Sequence, residues 1–468
     1  MKTDAKITDE VAAFVEKTAF SDFPAEAIRL AKRCVLDGLG LMFAGSVQDC
    51  TRIVREFSRE NSQGSGATAF GIDPVKLPPA LAALVNGTAG HAMDWDDTQL
   101  STTPDRIFGL LTHPTIPPLA ASLAVAEVGG GASGRDFLTA FLTGFEVECK
   151  IAESIRPEHY EKGFHSSGTA GTFGAAVAVA KLVGLDRMQL RHLLGMTASM
   201  ASGIRANFGT MTKPLHVGRA AQNGVTAALL AQDGFEADPD GLDGPWGFFE
   251  VFGRGIDEER IIGKLGNPYT IVAPGVSVKP YPCGSLTHPS IDAMRAIVTE
   301  SDLKPEDIQE VVLYAGNNIL NPIRYAMAEN ELQAKFCMPF LLAAIVISRK
   351  AGVQEFTRNF VQSPDVQALM KKIRTEFDPV IEAKGYDKMR SRVEVTLKNG
   401  RRIVRDADDR YRGGPENPLS DDELKEKFTD CVQSIVSESA REEIIKTVFQ
   451  LESLSNMDSL IERLSMTA

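Results

Sequence analysis

Residues 391–406 read Ser-Arg-Val-Glu-Val-Thr-Leu-Lys-Asn-Gly-Arg-Arg-Ile-Val-Arg-Asp. Val393, Val395 and Leu397 alternate with charged or polar neighbours, Asn399-Gly400 interrupts the run, and the apolar/charged alternation resumes at Ile403. Period-two alternation on both sides of Asn-Gly predicts a β-hairpin with a type I′ turn. Working outward, "DIQEVVLYAG" (307–316) reads as a further strand, and helical patterns fill 288–300 and 364–376. Residues 272–409 therefore form a compact α+β module.

Nothing upstream resembles this pattern. Residues 1–271 read as helix after helix. Val11, Phe14 and Val15 share a helical face, and Pro24 opens a second helix with Ile28, Ala31, Val35 and Leu39 on one side. Ser133 caps a helix whose stripe is Phe137, Phe141 and Phe145. Segments 79–90, 116–128, 168–183, 187–201 and 217–233 are Ala-rich and apolar on most sides, which predicts buried helices. Residues 410–468 return to helix, starting from Ser420-Asp421. The fold class is mainly α, with one helical domain built from both chain ends and a smaller α+β domain inserted.

Composition excludes several functions. The chain has 468 residues, 43% of them hydrophobic, enough for a large core. Its net charge is −12 and it has no dense Lys/Arg run, so it lacks the basic face that nucleic acid requires. The six cysteines are too scattered for a CxxC metal or redox motif. "MKTDAKITDEVAAF" has neither the basic nor the apolar region of a signal peptide, and the longest apolar run, 338–347, is too short to span a bilayer. The expectation is a reduced, soluble, cytoplasmic protein.

Five stretches concentrate reactive side chains at Gly- or Pro-marked breaks. "HAMDWDDT" (91–98) sets Asp94, Asp96 and Asp97 beside His91. It suits a divalent cation or a substrate-orienting acid, but an acidic turn capping a helix has the same spacing. Thr112-His113-Pro114 holds a histidine extended, which by itself is ordinary structure. "KGFHSSGTAGTFGAAVAVA" (162–180) puts His165 before a Gly-rich helix start, where free N–H groups suit an anion; a capped, Gly-packed helix start explains the glycines but not His165. "GTMTKPLHVGRAAQNG" (209–224) brings Lys213, His216 and Arg219 close together as candidates for holding a carboxylate, or as ordinary cations at a helix entry. "VKPYPCGSLTHPSIDA" (278–293) crowds Lys279, Tyr281, Cys283 and His288 onto a stiff loop before a helix. A cysteine in such a place is more often inert than nucleophilic. Together these acids, histidines and cations, with no cofactor motif, suit proton transfer at a carbon next to a carboxylate.

In this order the stretches, with "AKFCMPFLLAA" and "GGPENPLSDDELKEKF", resemble the MmgE/PrpD family over nearly the whole chain. That family includes 2-methylcitrate dehydratases, cis-aconitate decarboxylases and iminodisuccinate epimerases. The resemblance implies a helical domain from both chain ends, an α+β lid, an active site between them and a homodimer. It implies no cofactor and no metal. The substrate is a di- or tricarboxylate. Carried over residue by residue, it implies catalytic roles for His165, Asp94, His113, Lys213 and Lys279. Thr98 joins the substrate site, with Tyr281, His288 and His216 as further substrate-binding candidates. Asp96 and Asp97 would cap or brace the turn. The chain departs from the decarboxylase pattern at "QLSTTPDRIFGLL" (99–111), which separates Thr98 from Thr112 and carries Arg106, a further candidate carboxylate ligand. The leading expectation is a cofactor-independent lyase, either dehydratase or decarboxylase. An epimerase is the runner-up, and a non-catalytic carboxylate binder is the alternative from another class.

Overall fold

The computed structural model describes residues 7–64, 66–101 and 111–465. The chain separates into two compact units. The first holds the residues up to Gln99, Leu111–Val276, and those from Asp421 onward. The second holds Leu100, Ser101 and Ser277–Ser420. The inserted unit thus begins at Ser277 rather than 272 and ends at Ser420 rather than 409. Residues 411–413 explain the later end. Tyr411 is buried in the second unit's core, and the Val278 N–H donates to the Gly413 carbonyl at 2.9 Å.

The first unit is a helical assembly. Thr212–Gln232 packs against Pro79–Ala92 and Ser166–Val183, and the last of these packs on Ile116–Val128 and Gly134–Ser154. Pro79–Ala92 and Ser166–Val183 are buried along nearly all of their length, as their apolar composition predicts. Ser133 caps its helix in a reciprocal box with Asp136. A small residue sets the crossing of Thr212–Gln232 with Pro79–Ala92. A Cβ on Gly218 would lie 2.1 Å from Thr88 Oγ1 and 2.5 Å from the Leu84 carbonyl. Only glycine lets Thr212–Gln232 approach Pro79–Ala92 this closely. That crossing sets the end of one helix beside the start of the other.

The second unit has a four-stranded sheet in the order Ile373–Phe377, Ile308–Ala315, Ser391–Leu397, Arg402–Asp406. The first pair is parallel and the others are antiparallel. Ser391, Val393, Val395 and Leu397 face inward, toward the buried helices His288–Ser301 and Met338–Ser348. Two expectations need correction here. The helix expected over 364–376 stops at Met370, and Ile373–Phe377 is a strand. Its β-branched and aromatic residues find a parallel partner in Ile308–Ala315, and tertiary pairing overrides local pattern. The hairpin turn is not type I′, which needs φ > 0 at two residues. Only Gly400 has it, at +83°. The Gly400 N–H donates to the Leu397 carbonyl, and the Leu397 N–H donates to the Arg401 carbonyl. The loop is therefore Lys398-Asn399-Gly400, a type I turn closed by a left-handed glycine.

Among the described residues the six cysteines are buried and free. No helix there is long and apolar enough to cross a membrane.

Candidate active site

Pro79–Ala92 ends just before the acidic stretch. The Asp94 N–H donates to the His91 carbonyl at 3.0 Å, and Asp94 turns the chain with φ at +53°. A non-glycine residue held there stores strain, which is most often found at functional sites. The turn sends the Asp94 carboxylate to Lys213 Nζ, 3.0 Å away, on the first turn of Thr212–Gln232. Both side chains are buried.

The three acids of the stretch have three separate fates. Asp94 is balanced by Lys213. Asp96 receives His91: Nδ1 lies 2.8 and 3.0 Å from its two oxygens. His113 Nδ1 stands 3.5 Å from Asp96 and 2.8 Å from the Asp97 carbonyl. Asp97 points away, accepting from the Thr115 hydroxyl at 2.7 Å and the Thr115 N–H at 3.3 Å. Burial pushes its carboxyl up to about 7, although the Thr115 hydroxyl pulls the other way. Beneath it, Glu148 accepts from the Thr112 hydroxyl and is held well above the usual carboxylate range, again by burial.

The histidines form one group. His165 caps Ser166–Val183, and its backbone N–H donates to the Gly203 carbonyl at 3.0 Å. Its Nδ1 lies 3.0 Å from Nδ1 of His216, one helical turn beyond Lys213. The His91 ring centroid is 4.8 Å from that of His113 and 5.7 Å from that of His165. His165 sits well below the ordinary histidine range because burial and then Lys213 oppose an imidazolium. Burial also lowers His91 despite Asp96, and brings His216 to about 4. The three rings are thus neutral near pH 7. Since the Asp96 carboxylate can only accept, His91 carries its hydrogen on Nδ1. Its Nε2 is buried and makes no hydrogen bond among the described residues. The site offers imidazole lone pairs beside a lysine, which is what abstraction of a proton next to a carboxylate requires.

His91, Asp96 and His113 also have the makings of a small cation site, with one donor atom from each within 4.8 Å of the others. Hydrogen bonds among these groups already account for the cluster.

The MmgE/PrpD N-terminal domain model matches residues 9–260, and the C-terminal domain model matches 281–452. The chain belongs to the MmgE/PrpD family. A human cis-aconitate decarboxylase is 29% identical over 97% of this chain and 93% of its own length. One from Aspergillus terreus is 24% identical over 98% and 96%. A 2-methylcitrate dehydratase of Escherichia coli O157:H7 is 23% identical over 76% and 75%.

Within this MmgE/PrpD chain, Asp94, His113, His165, Lys213 and His216 come together in the first unit. Thr98 is buried directly after the acidic stretch, in the short strand Thr98–Gln99. Arg219 faces outward to Gln222, although it shares the helix with His216. Arg106 lies outside the described residues. The remaining candidates are in the second unit. Lys279 is almost fully buried there. The Tyr281 hydroxyl donates to Asp292 at 2.6 Å and its ring stands edge-on to His288. His288 Nε2 lies 3.3 Å from the Cys283 carbonyl.

Sequence reasoning weighed His91 and Asp96 as possible cation ligands, then left His91 out of the catalytic set and gave Asp96 a bracing part. The signal was in the quoted stretch. His91 and Asp96 are five apart across a helix end, a spacing that lets the carboxylate fold back onto the ring.

Proposed function

We propose that this protein is a cofactor-independent lyase that acts on a di- or tricarboxylate by proton transfer at the carbon next to a carboxylate. Decarboxylation of a cis-aconitate-like acid is the leading reaction, because cis-aconitate decarboxylases match along nearly the full chain whereas the dehydratase matches over less of it. The observation that carries the reading is the buried His165 beside the Lys213–Asp94 pair. Lys213 holds a substrate carboxylate and offsets the charge that develops as CO₂ departs. His165 delivers the proton to the resulting carbanion. Asp94 orients Lys213, and His113 and Thr98 line the same turn. The family resemblance gives Lys279 a carboxylate to bind, with Tyr281 and His288 as further candidates. Dehydration of a 2-methylcitrate-like acid would use the same groups in reverse order, with removal of a proton followed by loss of hydroxide.

The test is proton NMR in D₂O with EDTA-treated protein, cis-aconitate and 2-methylcitrate. Decarboxylation with deuterium at the new C–H position is expected. His165→Ala should lower turnover by roughly 10²- to 10⁴-fold, the usual worth of a positioned acid/base. Near-normal turnover by that variant would remove His165 from its role. Activity that returns only with an added divalent ion would overturn cofactor independence.

A further inference from the structure

We propose that His216 is a positioning residue that acts through His165, the two rings forming a proton relay between a buried imidazole and solvent. The inference rests on the reading of His165 as the acid/base, and goes beyond it by stating how that ring is reprotonated.

The decisive contact is Nδ1 to Nδ1, at 3.0 Å. Two ring nitrogens this close share a single hydrogen. If both carried one, the hydrogens would collide; if neither did, the lone pairs would repel. The tautomers are therefore opposite and coupled. When His165 donates from Nδ1, its Nε2 is bare and acts as a base. When His216 donates, His165 carries its hydrogen on Nε2 and acts as an acid. One pair thus supplies either form of the same group.

The surroundings make a neutral relay the favourable route. His165 is 3% exposed, whereas His216 is only partly buried. Lys213 faces His165 and opposes a positive charge on it, and the rings of His91, His113 and His216 surround it. The acids of this cluster are already taken up, Asp94 by Lys213 and Asp96 by His91 and His113. A step that left an imidazolium at His165 would meet both burial and these neighbours. The relay avoids it. A water or buffer acid gives a proton to His216 Nε2, the His216 Nδ1 hydrogen passes to His165 Nδ1, and the His165 Nε2 hydrogen passes to the carbanion. Three bonds to hydrogen break and three form. One proton is transferred from solvent to carbon, and neither ring gains charge. Run backwards, the same steps carry a substrate proton out.

Three His216 variants separate this role from simple packing. His216→Phe fills the space without hydrogen bonding. His216→Asn can hydrogen-bond to one tautomer but cannot shuttle. His216→Ala leaves room for an added base. Turnover should fall about tenfold or more in all three, with thermal midpoints close to that of the starting protein. Added imidazole should restore the Ala variant and leave the Phe variant unaffected. ¹⁵N NMR of the unaltered protein, labelled at histidine, should show one protonated and one bare Nδ1 in this pair, with no imidazolium between pH 6 and 8. Full activity in His216→Phe, absence of imidazole rescue, or an imidazolium at either ring near pH 7 would each overturn the relay. The NMR readout needs no substrate. If the unaltered protein turned over none of the acids offered, the proposed function would fall, while the NMR would still judge the pair.

Discussion

Asp97 is an acid that the fold prefers uncharged, and the consequence is a predictable dependence on pH. In the folded chain its carboxyl titrates at about 7, against 3.8 for an ordinary aspartate. Below pH 4 both states hold the proton and the residue costs nothing. Between 4 and 7 the unfolded chain releases the proton while the folded chain keeps it, so stability falls as pH rises. By pH 8 the loss amounts to roughly 4 kcal/mol. Asp97→Asn keeps an acceptor for Thr115 and removes the ionisation. In denaturant titrations the variant should lose distinctly less stability than the starting protein between pH 4 and 8. Parallel curves would mean that Asp97 is charged in the fold. Asp96, one residue earlier, has the opposite task of holding two histidines. Asp96→Asn keeps the shape but presents an amide to His91 and His113. Turnover should drop roughly tenfold or more in a folded protein; unaltered kinetics would reduce Asp96 to part of the turn.

At the scale of elements, the site depends on how closely two helices cross. Gly218 is the contact, and Lys213 and His216 lie within two turns of it on the same helix, facing the end of Pro79–Ala92. Gly218→Ala would place a methyl group against backbone and Thr88, so the helices must part. We expect a loss of about 1–3 kcal/mol in thermal or chemical unfolding. Activity should fall further than stability alone explains, because Lys213 would move off Asp94. A variant with wild-type melting and turnover would show that the crossing has slack. The helices that carry this geometry were legible because apolar runs, Pro starts and the Ser133 cap all agreed. The failures have physical causes. Ile373–Phe377 is too short to declare a period, and its identity comes from a partner strand some sixty residues earlier. Asn399-Gly400 specifies a hairpin, but whether Asn399 takes φ > 0 is settled by the strands it joins. The site followed the same rule: residue types were visible in the sequence, while the pairings of His91 with Asp96 and His165 with His216 needed the helix ends in place.

At the scale of the whole chain, the first unit is closed by its two ends. Asp421–Val432 packs against Ala25–Ser46, with Arg33 paired to Asp421. Further along that helix, Lys427 Nζ reaches Asp37 at 2.7 Å and the Trp95 carbonyl at 3.0 Å, and stands over the Trp95 ring. All three residues are buried. One cation from the C-terminal segment thus ties together the second helix of the chain and the turn that carries Asp94 and Asp96. Lys427→Met preserves the apolar stem but leaves Asp37 buried with Arg33 as its remaining cation among the described residues, and with Asp96 opposing its charge. Stripping a buried carboxylate of its partner costs about 3–5 kcal/mol. Asp37 can escape part of that cost by taking a proton, so the loss should be larger at pH 8 than at pH 5. Asp37→Asn combined with Lys427→Met removes both charges and should recover much of the stability. Because Trp95 adjoins Asp94, the single variant should also lower turnover under conditions where it is still folded. If Lys427→Met unfolded at the same denaturant concentration as the starting protein, Asp421–Val432 would be held by its apolar face and the Arg33–Asp421 pair without Lys427, and the acidic turn would be braced from its own side of the molecule.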